Sequence, residues 1–133
     1  MGAMIVGTEW LIEATGCDAS ALRDESVLRG LLDGVIRDLG LKSTGSLWHK
    51  FDGEGGVTGL IALTESHLAC HTYPEYGTAT FNLYCCRTRP EWAWKAHLSE
   101  QLGAGDVTVT RIERGYRASD ISNSKFEIAG GAL

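Results

Sequence analysis

The chain has 133 residues, 44% of them hydrophobic, and a formal net charge of −5. That length fits one globular domain, residues 1–133, with a sizeable core and little room for a second. An acidic balance without a dense run of Lys and Arg argues against a surface built to neutralise nucleic-acid phosphates; no apolar stretch has the length of a membrane span or the make-up of a signal peptide, so a cytoplasmic protein is expected.

Residues 1–4 are assigned no role. Residues 9–17 carry Trp10, Leu11 and Ile12 ahead of Gly16, which predicts a first strand closed by a turn. The period then changes: Leu28, Leu31, Leu32, Val35, Ile36 and Leu39 recur at three- and four-residue steps along one helical face, and Gly40 stands where a helix stops. Residues 46–51 read as a second strand, the Gly-rich residues 52–56 as a flexible turn, and residues 57–64 as a third strand. Residues 67–73 and 78–86, rich in β-branched and aromatic side chains, predict two more strands, separated by the break Pro74-Glu75-Tyr76-Gly77. Pro90 suits the first turn of a second helix, whose buried face is Trp94, Leu98 and Leu102 and whose end is marked by Gly103 and Gly105. Residues 107–116 return to strand, and from Arg117 onward the small and polar sequence predicts a mobile tail. The order strand, helix, several strands, helix, strand implies an α+β two-layer sandwich, in which two helices cover one face of a mostly antiparallel sheet.

The stretch from Thr64 through Glu65, Ser66, His67, Cys70, His71, Thr72, Tyr73, Pro74 and Glu75 to Gly77, followed by Cys85 and Cys86, is where chemistry concentrates. A hydroxyl nucleophile, two imidazoles, two carboxylates and several thiols fall within about 20 positions, denser than packing requires. Singly, each has an ordinary explanation: Ser66 a turn hydroxyl, His71 a hydrogen-bonded core residue, Cys86 a small buried hydrophobe, Glu75 a solvated carboxylate, Phe51 a core aromatic. Jointly they exceed those explanations. His67, Cys70, His71 and Cys86 are competent zinc ligands, but on a strand His67 and His71 point one way and Cys70 the other, so no metal is expected. No strand-to-helix nucleophile elbow surrounds Ser66, which argues against a serine hydrolase. The four cysteines, Cys17, Cys70, Cys85 and Cys86, do not have the spacing of a secreted disulfide scaffold and are expected to be reduced.

The order Glu65-Ser66-His67, three intervening residues, then His71-Thr72-Tyr73-Pro74-Glu75-Tyr76-Gly77, with Cys86 twenty positions after Ser66, resembles the small prokaryotic S-adenosylmethionine decarboxylases. Residues 9–18, His49-Lys50-Phe51 and residues 111–115 extend the resemblance over most of the chain. It implies a proenzyme that splits itself between Glu65 and Ser66 into residues 1–65 and 66–133. In that family the serine hydroxyl attacks the preceding carbonyl, the resulting ester eliminates, and the new N-terminus becomes a covalent pyruvoyl group. Such a ketone is an electron sink for decarboxylation, here of S-adenosylmethionine to supply the aminopropyl donor of spermidine and other polyamines. Pyridoxal phosphate would need a reactive lysine and a phosphate cradle, which residues 53–56 and four scattered lysines do not offer.

By the same resemblance Cys86 is the acid that protonates the substrate α-carbon, and His71 assists the elimination. Thr58 stands where the family usually has a processing serine. Glu75 corresponds to the carboxylate that accepts hydrogen bonds from ribose hydroxyls, and Phe51 to the aromatic that stacks on adenine, with Tyr73 close by. Cys85, facing away from its neighbour on a strand, reads as a packing residue. Asn82 replaces a usual Asp, Thr78 a common Tyr, and Arg87 a usual Gly. These departures bear on substrate identity. Two alternatives stay open: a pyruvoyl-dependent arginine or ornithine decarboxylase of the same fold, which a loss of adenosine contacts at Phe51, Tyr73 or Glu75 would motivate, and a non-catalytic binding partner that never matures, for which Thr58 as a poor substitute for serine is the motive.

A hairpin over residues 57–73, bent near Thr64, sets Thr58 opposite His71 and leaves Ser66 near the tip, six or seven residues away, or roughly 20 Å at about 3.3 Å per residue. That is too far for one chain's Thr58 and His71 to act on its own Ser66. A homodimer with two shared sites is therefore expected, each taking Ser66 and Cys86 from one chain and Thr58, His71, Glu75 and Phe51 from the other. The resemblance adds that the family's larger relatives look like a fused duplication of this unit.

Overall fold

The computed structural model describes residues 3–117; the expectation of a mobile tail falls almost wholly outside them. Among the described residues six strands, β1 (Ala3–Thr15), β2 (Ser43–Lys50), β3 (Val57–Leu63), β4 (Ser66–Tyr73), β5 (Thr78–Cys85) and β6 (Asp106–Arg117), form one sheet in the order β2-β3-β4-β5-β1-β6. Every neighbouring pair is antiparallel. Helices α1 (Ala19–Leu22), α2 (Glu25–Leu39) and α3 (Trp94–Leu102) share a single hydrophobic core with one face of this sheet. The α+β expectation holds, with one more helix than the periodicity shows.

Helix α2 forms where the apolar steps predict it, and Leu28, Leu31, Leu32 and Val35 are fully buried. Each such side chain contributes about 1.5–3 kcal/mol by leaving water. Asp24 caps its N-terminus by accepting from the Ser26 N–H at 2.9 Å. At the other end Gly40 is left-handed (φ 65°), the Gly40 N–H donates to the Arg37 carbonyl and the Leu41 N–H to that of Ile36. This is a Schellman stop, and it turns the chain toward β2. The single turn α1 is capped by Asp18, but with Leu22 as its one buried residue it has no periodic face to read.

Pro90 does not open a helix; α3 starts four residues later, at Trp94. The reason is the pair Trp92 and Trp94, both buried and packed edge to face at 4.9 Å. Residues two apart on a helix point to nearly opposite sides, so a helix from Pro90 would expel one of the indoles. Instead Ala93 (φ −76°, ψ 65°) forms an inverse γ-turn, with the Trp94 N–H donating to the Trp92 carbonyl at 2.7 Å. Both rings then enter the core, and the Trp92 Nε1–H donates to Asp38 at 2.9 Å.

Strand alternation divides the sheet into two faces. Trp10, Ile12, Val57, Ile61, Leu68, Cys70, Phe81, Leu83 and Cys85 point to the helices and are buried. The opposite face is open and carries exposed Leu47, Leu60 and Ile112. One buried hydroxyl ties the layers together: Thr72 Oγ1 accepts from the Val57 N–H at 2.8 Å and donates to the Leu22 carbonyl at 2.7 Å. Replacing Thr72 by Val keeps the shape but orphans both partners, at about 1–3 kcal/mol each. Thr72→Val is expected to lose about 2–4 kcal/mol in urea unfolding, and Thr72→Ser, which keeps the hydroxyl, distinctly less.

Candidate active site

The β3–β4 hairpin closes in two residues, Thr64 and Glu65, with Leu63 paired to Ser66. The turn is braced from both sides. The Thr64 N–H donates to the Lys42 carbonyl at 2.9 Å, and Arg87 Nε donates to both Glu65 carboxylate oxygens at 2.6 and 2.5 Å. Ser66 lies opposite Cys85 in the β4–β5 ladder, so both side chains point toward the helix layer. Burial pushes the Cys85 thiol pKa up, and its hydrogen bond with Ser66 offsets that only in part. Cys86 is exposed. Ser66, Cys85, Cys86, Lys42, Arg87 and Arg89 line a cavity of about 330 Å³ at this end of the sheet.

A second depression of about 430 Å³ lies at the other end of the same hairpin, lined by Phe51, Thr58, His71, Tyr73 and Glu75. Thr58 pairs with His71, as the hairpin register predicts, and its Oγ1 lies 3.2 Å from His71 Nδ1. Phe51 and Tyr73 are 50% and 40% exposed, so both aromatic rings are accessible in this depression. The rings of Phe51 and His49 pack at right angles with centroids 4.5 Å apart, and Glu75 is carried by the single turn Pro74–Tyr76.

The sequence-predicted residues thus fall into two sets, Glu65, Ser66 and Cys86 at one end and Phe51, Thr58, His71, Tyr73 and Glu75 at the other. The separation is shorter than the hairpin reading had it, because Ser66 already belongs to β4: five residues to His71, about 17 Å. The odd count adds something the length alone did not: His71 is on the open face, Ser66 on the helix-covered one.

Two features escape a reading of the sequence alone. Cys85 packs in the core as expected, yet its thiol also meets Ser66, a contact that arises only from the β4–β5 register. On the open face, Arg114 donates to Glu9 Oε1 at 2.6 Å, Asn82 Nδ2 donates to Glu9 Oε2 at 2.7 Å, and His67 Nε2 meets Asn82 Oδ1 at 2.7 Å. An amide suits position 82: it donates to one neighbour and accepts from the other, whereas a carboxylate would confront Glu9. The hydrogen bond from Asn82, with the cation of Arg114, holds the Glu9 carboxyl below its ordinary pKa. His67 and His71 share the open face, and Cys70 is buried among core side chains that push its pKa up to about 12.

The sequence matches the family model for S-adenosylmethionine decarboxylase over residues 8–115. It is 34% identical over 111 residues to the S-adenosylmethionine decarboxylase proenzyme of Moorella thermoacetica, covering 83% of this chain and 88% of that one. It is 35% identical over 112 residues to the proenzyme of Prochlorococcus marinus, covering 83% and 88%. The crystal structure of the adenosylmethionine decarboxylase from Aquifex aeolicus VF5 aligns with a TM-score of 0.73 at 30% identity, covering 86% of this chain and 95% of that one. The matched segment runs from β1 to β6 and takes in both ends of the β3–β4 hairpin, so the chain belongs to the S-adenosylmethionine decarboxylase family of carboxy-lyases.

Proposed function

We propose that this chain is a proenzyme that cleaves itself between Glu65 and Ser66, giving residues 1–65 and 66–133, and then decarboxylates S-adenosylmethionine to supply the aminopropyl donor for spermidine and other polyamines. The observation that carries the reading is the setting of Ser66: the first residue of β4, directly after an exposed two-residue turn, in a cavity with Cys85 and Cys86. Its hydroxyl is one residue from the carbonyl it attacks, and a break at the turn leaves the β4–β5 ladder intact. The cavity has room for a pyruvoyl group in place of the serine, and such a covalent ketone supplies the electron sink that loss of carbon dioxide requires.

The other roles are those the family resemblance implies, and the chemistry of each side chain suits its role. The exposed Cys86 thiol delivers the proton to the substrate α-carbon. Phe51 and Tyr73 offer the aromatic faces that adenine needs, and Glu75 the acceptor oxygens for ribose hydroxyls. Thr58 holds the imidazole of His71 for the maturation step. Because His71 lies about 17 Å from Ser66 of its own chain, with Thr58, Phe51, Tyr73 and Glu75 at the same far end, the working enzyme is a homodimer with two shared sites.

The adenosine-binding trio in one groove favours S-adenosylmethionine over arginine or ornithine. Intact-mass measurement of the purified protein is expected to show residues 1–65 and 66–133 as separate species. Carbon dioxide release, assayed with all three substrates, is expected with S-adenosylmethionine alone. A chain that stays whole yet decarboxylates overturns the mechanism, and release from arginine or ornithine overturns the substrate.

A further inference from the structure

The Ser66 cavity is cationic in a way the maturation chemistry does not use. Lys42, Arg87 and Arg89 all line it, and its one acid, Glu65, is already paired with Arg87. We propose that Arg89 binds the α-carboxylate of the substrate, the group that leaves as carbon dioxide. This rests on the reading of Ser66 as the source of the reactive carbonyl. The substrate carries its amine and its carboxylate on the same carbon, so an amine brought to that carbonyl brings the carboxylate into the same cavity.

Of the three cations Arg89 is the one prepared for such a partner. Lys42 is exposed and solvated, and Arg87 is neutralised by Glu65. Arg89 is half-buried, forms no ion pair among the described residues, and its Nε is sealed from solvent without a hydrogen-bond partner. Its guanidinium makes a single long contact, 3.4 Å to the Thr88 carbonyl. A buried donor left unpaired is costly until an acceptor arrives, and a guanidinium fork matches a carboxylate with two parallel bonds. Arg89 lines the same cavity as Ser66, Cys85 and Cys86, the reacting end of the site. The same contact favours turnover, since the grip disappears once the carboxylate has gone and the product is held less tightly than the substrate.

The two ligands differ by that one group, which makes the test sharp. Charge on the carboxylate disperses as carbon dioxide forms, so the ion pair is stronger in the bound substrate than in the transition state. Arg89→Gln is expected to raise KM for S-adenosylmethionine about tenfold or more, with kcat unchanged or raised. Calorimetric binding of decarboxylated S-adenosylmethionine, which has no carboxylate, is expected to match the parent enzyme. Arg89→Lys, which keeps the charge but loses the fork, should recover part of the KM. An unaltered KM overturns the proposal, as does equal weakening of both ligands. A folded Arg89→Gln chain that is not cleaved overturns it too, because Arg89 then serves the chain's own bond. If instead the parent chain is never cleaved and releases no carbon dioxide, the proposed function has failed, and the subsite fails with it.

Discussion

Ser66→Ala is expected to leave the chain whole and without decarboxylase activity. The hydroxyl is the group that would attack the Glu65 carbonyl and then leave with it as the Glu65 carboxylate, so that residue 66 can become the ketone, whose oxygen comes from water as ammonia is lost; no neighbour replaces it: Thr64 lies across the turn, and burial raises the pKa of the Cys85 thiol. Losing the electron sink removes essentially the whole rate enhancement, a fall of about a millionfold or more. Stability is a separate matter. The truncation removes one hydrogen bond to Cys85 at a half-buried position, so the denaturation midpoint should move little, by the equivalent of about 1 kcal/mol or less. A Ser66→Ala chain that unfolds like the parent, shows one species by intact mass and releases no carbon dioxide supports the assignment. One that is still split, or still turns over, overturns it.

What the sequence makes legible is what depends on neighbours along the chain. Helix α2 is read correctly because its apolar positions repeat every three or four residues and Gly40 ends it in the left-handed region. The pairing of Thr58 with His71 is read from a short hairpin, where register follows from counting. Pro90 misleads because local preference favours a helix start there, while burial of Trp92 and Trp94 together requires a γ-turn. Helix α1 and the bridge through Thr72 to Leu22, fifty residues away, have no local signature. The same is true of the open-face network, where Glu9 meets Asn82 at a separation of 73 residues and Arg114 at 105. Those contacts exist because β1 crosses the sheet to lie between β5 and β6, an order that periodicity does not encode. At the site, the resemblance and the spacing nominate the groups, but the face each one occupies and the sealed Nε of half-buried Arg89 emerge only from the fold.

Co-expression of Ser66→Ala with His71→Ala is expected to restore cleavage that neither variant shows alone. Ser66 and His71 of one chain are five residues apart on a straight strand, about 17 Å, with side chains on opposite faces. No rotamer change closes that gap. The geometry does suit a partner. The imidazole of His71 stands on the open face of its own sheet, so a second chain packed against that face can bring it toward the Ser66 end of the first. That face carries exposed Leu47, Leu60 and Ile112, apolar surface that packing two sheets together would bury, and a two-fold axis across the strands would set the Ser66 end of one chain over the His71 end of the next. In a hybrid dimer one site combines intact Ser66 with intact His71, and the other holds both alanines. With random pairing, about half of the Ser66-bearing chains meet an intact His71 and become cleavable. Tagging the two variants differently and purifying through both tags isolates the hybrids for intact-mass measurement. Processed fragments from the Ser66-bearing chain alone establish the shared site. If hybrids form and every chain stays whole, each chain must mature on its own groups, and the two-ended site is wrong.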